Sequence, residues 1–403
     1  MKKFRLATVT AAALLLGAPS LKAIPLVTVG DTQMNLYGWV WVYGHYYQDA
    51  KEEQSGYAGS LFYNYNGTGP LDTHTLPDHQ YVMAVQPTRF GFLSNTPNTS
   101  LGNITTQIEY DLNGSNSHLR QAALVIGDWT FGQNWSLWGD RDLWYETADW
   151  LGPLGQPAWL LPHVLEIQYY HKIDAKNSGG ISLEQQTTTN AGAVGSSSTS
   201  TGDVSIPTVI AAWTYKDKWG HLCLHGMGQY FGTFVPGTSH VSKKNYGRME
   251  YAYMVSGDFR LSKSDDFLYD FYKGNALGGY GIGYQSVVFN DANRSVTPFQ
   301  SIGWAAGLSH TWSPKYRSNI SVGGVQYARP SLPASMMVYF YLKSGISAFA
   351  NRFIFFNKYV DMGIEYGIEQ ARAASGYTAM NDNGQPASHN TNAKVNVSLR
   401  GRF

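Results

Sequence analysis

The last ten residues, Lys394 to Phe403 (KVNVSLRGRF), alternate so strictly that only a strand can use them. Successive side chains of a strand point to opposite faces, so Val395, Val397, Leu399, Gly401 and Phe403 share one face. Lys394, Asn396, Ser398, Arg400 and Arg402 share the other. One face suits an apolar medium and the other suits water. Two structures accept such a segment: the edge of a soluble sheet, or one stave of a membrane barrel, which crosses a bilayer in about 9–11 residues.

The opening of the chain favours export. Met1-Lys-Lys-Phe-Arg5, an apolar stretch from Leu6 to Ala18 and the close at Leu21-Lys22-Ala23 read as a secretory signal peptide, residues 1–23, with Ser20 as a second cleavage position. A membrane anchor needs about 20 apolar residues, and this stretch is shorter. Cleavage would remove Lys2, Lys3, Arg5 and Lys22, taking Lys+Arg from 29 to 25 against 28 Asp+Glu, a net charge of −3. Without a basic excess, nucleic acid is not expected as a partner.

Charged residues make up 14% of the chain, where about 25% is usual, and aromatics reach 14%. No later run approaches 18 apolar residues, and the mean hydropathy is −0.27. In hydrocarbon every backbone donor and acceptor must be paired within the protein. A closed sheet does this with an apolar residue only at alternate positions.

The alternation recurs along residues 24–403, which read as one all-β domain. Sixteen strands are expected: 34–47, 80–93, 103–112, 118–126, 129–135, 163–172, 179–187, 206–215, 219–231, 247–261, 267–284, 300–312, 316–327, 348–356, 360–370 and the terminal one. In the first, Leu36, Gly38, Val40 and Val42 face one way and Tyr37, Trp39, Trp41 and Tyr43 the other; Glu109 stands on the polar face of the third. Connections after even strands are short and most of those after odd strands are long. Short periplasmic turns opposite long extracellular loops mark a transmembrane antiparallel β-barrel.

Enzyme chemistry is not indicated. There is no Gly-x-Ser-x-Gly, no His-Glu-x-x-His and no phosphate-cradling glycine loop. Cys223 is alone, His221 and His225 fit a polar lumen face, and neither a metal nor a cofactor is expected. The informative loop is the third outer one, rich in Trp135, Trp138, Trp144, Trp150 and Trp159. Such a loop is expected to fold inward against the wall, setting Asp140, Asp142, Glu146 and Asp149 across from basic residues at a constriction.

The run Thr88-Arg-Phe-Gly-Phe92, then Leu119-Arg120-Gln-Ala through Gly132-Gln-Asn-Trp-Ser136 to Glu146-Thr-Ala-Asp149, then His310 to Ser318 and Val360 to Tyr366, resembles the DcaP-like outer-membrane porins, a branch of the trimeric sixteen-stranded general porins. The resemblance implies a passive, trimeric, water-filled channel in outer-membrane lipid, passing small hydrophilic solutes including anions such as dicarboxylates. It implies Arg89 and Arg120 as the basic wall facing the third loop. Inward Trp39 and Trp41, at positions where a polar or charged residue is expected, would make the pore narrower or less basic than such channels. Lys394 and Arg400 are expected to look into the water path, with Lys394 nearest the constriction. A structural or adhesive barrel with an occluded lumen is the competing reading.

Overall fold

The computed structural model describes residues 23–48, 79–85, 87–112, 118–148, 152–154, 163–185, 193–194, 201–203, 206–235, 244–275, 277, 280, 287–290, 295–328, 342–373, 379–380, 386–387 and 389–403. The expected signal peptide, the first long loop, Asp149, Trp150 and Trp159 lie outside these, apart from Ala23 and the residues 48 and 79 that flank the loop.

The chain folds into strands β1 (Ile24–Val29), β2 (Thr32–Tyr47), β3 (Gln80–Ala84), β4 (Arg89–Thr99), β5 (Gly102–Asp111), β6 (His118–Ile126), β7 (Trp129–Trp135), β8 (His163–Lys172), β9 (Asn177–Glu184), β10 (Ala193–Val194), β11 (Thr201–Asp203) and β12 (Thr208–Asp217). It continues with β13 (Gly220–Val235), β14 (Lys244–Arg260), β15 (Asp265–Asn275), β16 (Val287–Asn290), β17 (Ser295–Pro298), β18 (Gln300–Ser313), β19 (Tyr316–Ala328), β20 (Leu342–Phe355), β21 (Val360–Ala373), β22 (Ala379–Met380), β23 (Pro386–Ala387) and β24 (His389–Arg402). Sixteen staves result, each antiparallel to the next, because β3 and β4 together form one interrupted stave beside β2. The ring closes where β2 pairs with β24, Trp39 opposite Arg402 through Tyr47 opposite Lys394. Gly38 and Phe403 complete it by exchanging two backbone hydrogen bonds of 3.0 Å.

The short turns gather on one rim, at residues 100–101, 127–128, 173–176, 218–219, 261–264, 314–315 and 356–359. Gly127 turns there with φ 58°, a backbone conformation that glycine adopts without a Cβ penalty. The long connections, including 136–162, all leave from the other rim.

Alternation then decides the two faces. Val40, Ile108, Leu165, Ile320 and Leu399 point outward and are 46–62% exposed, whereas Tyr37, Gln107, Glu365, Asn396 and Lys394 point inward and are at most 1% exposed. Near the short-turn rim the outer face carries packed rings, Trp129 tilted against Tyr169 and Trp219 stacked on Phe259 stacked on Tyr269, with centroids 5.0–5.2 Å apart. Such a girdle sits at headgroup level in membrane barrels.

Local details depart from the sequence reading. The N-terminal hairpin β1–β2 was not expected; its register slips between Pro25 and Val27, which breaks the alternation that would reveal a strand. The expected 80–93 strand is interrupted around Pro87, whose carbonyl accepts the Trp39 indole N–H at 2.7 Å. The expected 267–284 strand ends at Asn275, and Leu277 and Tyr280 turn into the lumen, 2% and 0% exposed.

Val397 lies in mid-stave on the lipid face, 45% exposed. Val397→Arg is expected to oppose membrane insertion by about 2–4 kcal/mol, measured as reduced folding yield into liposomes by heat-shift electrophoresis, while Ser398→Thr on the opposite face folds normally.

Candidate pore constriction

The third loop leaves β7 at Trp135 and crosses the lumen in contact with one wall strand after another. At its root, Glu184 accepts from Ser136 Oγ at 2.8 Å and from the Leu137 amide at 2.9 Å. His225 Nδ1 donates to the Leu137 carbonyl at 2.9 Å. Asp140 Oδ2 then takes His221 Nε2 at 2.8 Å and Ser256 Oγ at 2.7 Å, and His221 Nδ1 is held from behind by Asp258. Farther on, the Tyr145 hydroxyl donates to Asp270 at 2.9 Å and the Ala148 amide to Glu365 at 3.1 Å. The Leu154 amide donates to Ser347 at 2.8 Å. The loop therefore spans the barrel from β9 to β21.

Between Arg141 and Thr147 the loop alternates like a strand. Leu143, Tyr145 and Thr147 turn to the wall, while Asp142 and Trp144 stay exposed and Glu146 is half-buried. Tyr145 and Leu143 pack on Ala305. Trp138, fully buried, enters an apolar socket with Ile210, Met227, Met254 and Tyr272, roofed by Leu277 and Tyr280.

Magnitudes rank these attachments. A buried Trp removed from a core costs about 3–5 kcal/mol, and a buried ion pair stripped of one partner costs about the same. The Asp142–Lys216 contact, half-exposed on both sides, belongs to the class contributing about 0–1 kcal/mol. The seat is thus Trp138 together with Asp140–His221.

Two wall glycines make room for it. A Cβ at Gly307 would stand 2.8 Å from the Tyr145 ring, and one at Gly323 would stand 1.8 Å from the Leu154 carbonyl oxygen, a backbone atom that cannot swing away.

Arginines occupy the facing wall. Arg120 meets Asp111 at 2.6 Å and Glu109 at 3.3 Å, and Arg89 shares Glu109 at 3.3 Å. Arg400 binds Asp361 at 3.0 Å and reaches Glu146 at 3.5 Å; Arg317 takes Glu146 at 3.0 Å, and Arg402 also binds Asp361. Trp39 and Trp41 are platforms here: Arg89 lies 4.2 Å over Trp39 and Arg400 lies 4.8 Å over Trp41. Ring faces attract guanidinium groups.

Several site residues therefore sit differently from the sequence expectation. Asp140 is a buried anchor, 3% exposed, not an open constriction acid. In the described contacts the loop acids meet His221, Lys216, Arg317 and Arg400, while Arg89 and Arg120 are engaged by Glu109 and Asp111 on their own wall. Lys394, 1% exposed, gives its ammonium to Glu369 at 3.1 Å, whereas Arg400 is the wall cation that touches the loop. Trp39 and Trp41 stand beside the basic wall, with Arg89 and Arg400 lying on their ring faces. The sequence reading set His221 and His225 on the lumen face without a role as loop anchors, and Gly323 and Arg317 escaped it. The only signal for the histidines was their shared inward face, and their partners lie 81 and 88 residues away.

Two outcomes follow from the seat. Asp140→Ala and Gly323→Val are each expected to free the loop within an intact barrel, seen as new tryptic cleavage at Arg141 with an unchanged heat-shift band; protection equal to wild type would contradict the anchor. Burial pushes the Asp140 carboxyl up, but the His221 hydrogen bond and charge, with the Ser256 hydroxyl, outweigh it and hold it below its ordinary value of 3.8. A carboxyl lowered on folding stabilises above its unfolded value and loses that contribution as pH falls through the folded one. Loop protection should persist through mildly acid pH and vanish only below 3.8, a profile readable by protease accessibility with enzymes suited to each pH.

No curated protein sequence matches the chain. Its fold is similar to that of the outer membrane channel DcaP of Acinetobacter baumannii, with a TM-score of 0.75 and 18% identity over 94% of this chain and 100% of that one. OmpT of Vibrio cholerae in a trimer form aligns at a TM-score of 0.55 with 10% identity, over 93% and 100% of the two chains. An anion-selective porin from Comamonas acidovorans aligns at 0.57 with 10% identity, over 92% and 100%. The DcaP outer membrane protein family model matches residues 26–380. The chain, a closed sixteen-stave barrel with an infolded third loop, belongs to the DcaP outer membrane protein family.

Proposed function

We propose that the chain is a passive diffusion channel for small hydrophilic solutes that favours anions, dicarboxylates among them, working as a homotrimer in outer-membrane lipid. The observation that carries this reading is the arginine row. Arg89, Arg120, Arg317, Arg400 and Arg402 stand against Glu109, Asp111, Glu146 and Asp361, five guanidinium groups to four carboxylates in that row. Charge rows at a narrow, water-poor passage select by sign.

In this reading Asp142, Glu146 and Asp149 form the acidic edge of the constriction, and Asp140 sets its position. Arg89, Arg120 and Arg400 supply the basic wall, Lys394 backs it from its pairing with Glu369, and Trp39, Trp41 and Glu109 line the path. The trimer form of the Vibrio OmpT and the anion selectivity named for the Comamonas porin are properties of those proteins; they agree with the proposal and do not carry it.

One observation favours the competing reading of an occluded structural or adhesive barrel. Trp138, Tyr272, Leu277 and Tyr280 fill part of the lumen with an apolar block.

Planar-bilayer recordings of the purified protein separate the two. Open-channel current with an anion-selective reversal potential is expected, and Arg400→Gln and Arg89→Gln should each move that potential toward cations. Cation selectivity that survives Asp142→Asn with Glu146→Gln would sink the anion preference. A barrel that neither conducts nor supports liposome swelling would be the structural one.

A further inference from the structure

The outer face of the barrel carries a polar row where lipid contact calls for apolar residues. Asp265, His310, Ser318 and Arg352 stand opposite one another on β15, β18, β19 and β20. All point outward, since they share alternation with Phe267, Leu308, Ile320 and Ile354 on the same strands. Arg352 is exposed, and its guanidinium lies 5.0 Å over the Tyr316 ring. It has no carboxylate partner among the described residues. An arginine on the lipid face opposes insertion at the midplane and is tolerated only near the interface. Arg352 lies four residues from the turn at 356–359, roughly 10 Å above the short-turn rim at the rise of a tilted strand.

The surroundings are arranged as a cradle. Ser318 Oγ accepts the Trp312 indole N–H at 3.1 Å, leaving its own hydrogen free to donate. His310 Nδ1 is held by Asp265 at 2.6 Å and its ring meets Trp312 edge-on at 4.2 Å. With Nδ1 fixed, Nε2 is left for an outside partner, and in the imidazolium both nitrogens donate. Lys315 is exposed on the adjoining turn. Trp312, 64% exposed, and Tyr316, 38%, flank the row on the rim side, while Ile320, 62%, and Leu308, 42%, flank it toward the midplane. Donors and a cation without a counter-ion, between an aromatic belt and an apolar wall, fit the phosphate of an amphiphile with its chains lying upward.

We infer that Arg352, Ser318, His310 and Lys315 form a phospholipid site on the outer wall, binding the headgroup phosphate of a lipid of the inner leaflet. The inference rests on the barrel sitting in an outer membrane with its short turns at the periplasmic side. It is independent of conduction, so a non-conducting protein would refute the proposed channel and leave the lipid site standing.

The test is native mass spectrometry of the folded protein in neutral detergent. Wild type, Arg352→Gln, Arg352→Lys and Arg352→Gln/Lys315→Gln are each offered phosphatidylglycerol, phosphatidylethanolamine, diacylglycerol or glycerol 3-phosphate. Heat-shift electrophoresis confirms each barrel. Wild type should retain both phospholipids and not diacylglycerol. Arg352→Gln should lose retention about tenfold, the scale of one charge-assisted hydrogen bond, with Arg352→Lys between and the double variant lowest. Equal retention by wild type and Arg352→Gln would overturn the site. Retention of glycerol 3-phosphate as strong as that of the lipids would make it a soluble-anion site and overturn the lipid assignment. Loss of oligomer in Arg352→Gln, with lipid retention unchanged, would make the face a contact between copies and overturn it as well.

Discussion

Backbone pairing in hydrocarbon is the constraint on which the rest depends. A strand that crosses lipid cannot leave its amides to water, so the sheet must close on itself. Here closure falls on β2 and β24, and the two bonds between Gly38 and Phe403 carry the pairing to the last residue. Once the ring is closed, the residue alternation stops being a matter of taste. Every second side chain meets lipid, and every other one meets a confined interior where charges must find partners. The pairing of Lys394 with Glu369 and of Arg400 with Asp361 across neighbouring staves is a consequence of that confinement.

Confinement also explains why the third loop folds inward instead of standing in solvent. A loop with Leu137, Trp138, Leu143 and Tyr145 has apolar surface to cover, and the inward faces of β12 to β15 supply Ile210, Met227, Met254 and Tyr272. Apolar burial brings the loop to the wall, but it is non-directional. Direction comes from the polar fixings, chiefly Asp140 between His221 and Ser256, and from the shape of the wall at Gly323. Together they leave Asp142, Trp144 and Glu146 on the open side.

This division marks what the sequence could disclose. The two faces of β24, the sixteen staves, the asymmetry of the rims and the infolding of a Trp-rich loop follow from period-two patterning and composition, which are local. The partners of the loop acids are not local. Nothing near Asp140 announces His221, and nothing near Glu146 announces Arg317 and Arg400, since those meetings are set by barrel curvature and shear. From sequence Trp39 and Trp41 are bulk that makes the lumen narrower or less basic, because alternation gives a side chain's direction but not what lies on top of it. The β1 hairpin was invisible for a simpler reason: its slip at Pro25 and Val27 erased the alternation by which the other strands were found.

Aromatic faces carry guanidinium groups on both sides of this barrel wall. Inside, Arg89 and Arg400 lie on Trp39 and Trp41; outside, Arg352 lies on Tyr316. A carboxylate partner neutralises an arginine, whereas a ring orients it and leaves its N–H edges available for an anion. The inner arginines have both a ring and a carboxylate, so their charge is divided between the fold and whatever passes. Arg352 has the ring alone among the described residues, which is why the outer wall, and not the lumen, holds the less compensated cation. The same stacking therefore serves two different ends, separated only by the alternation that sends one side chain to water and the next to lipid.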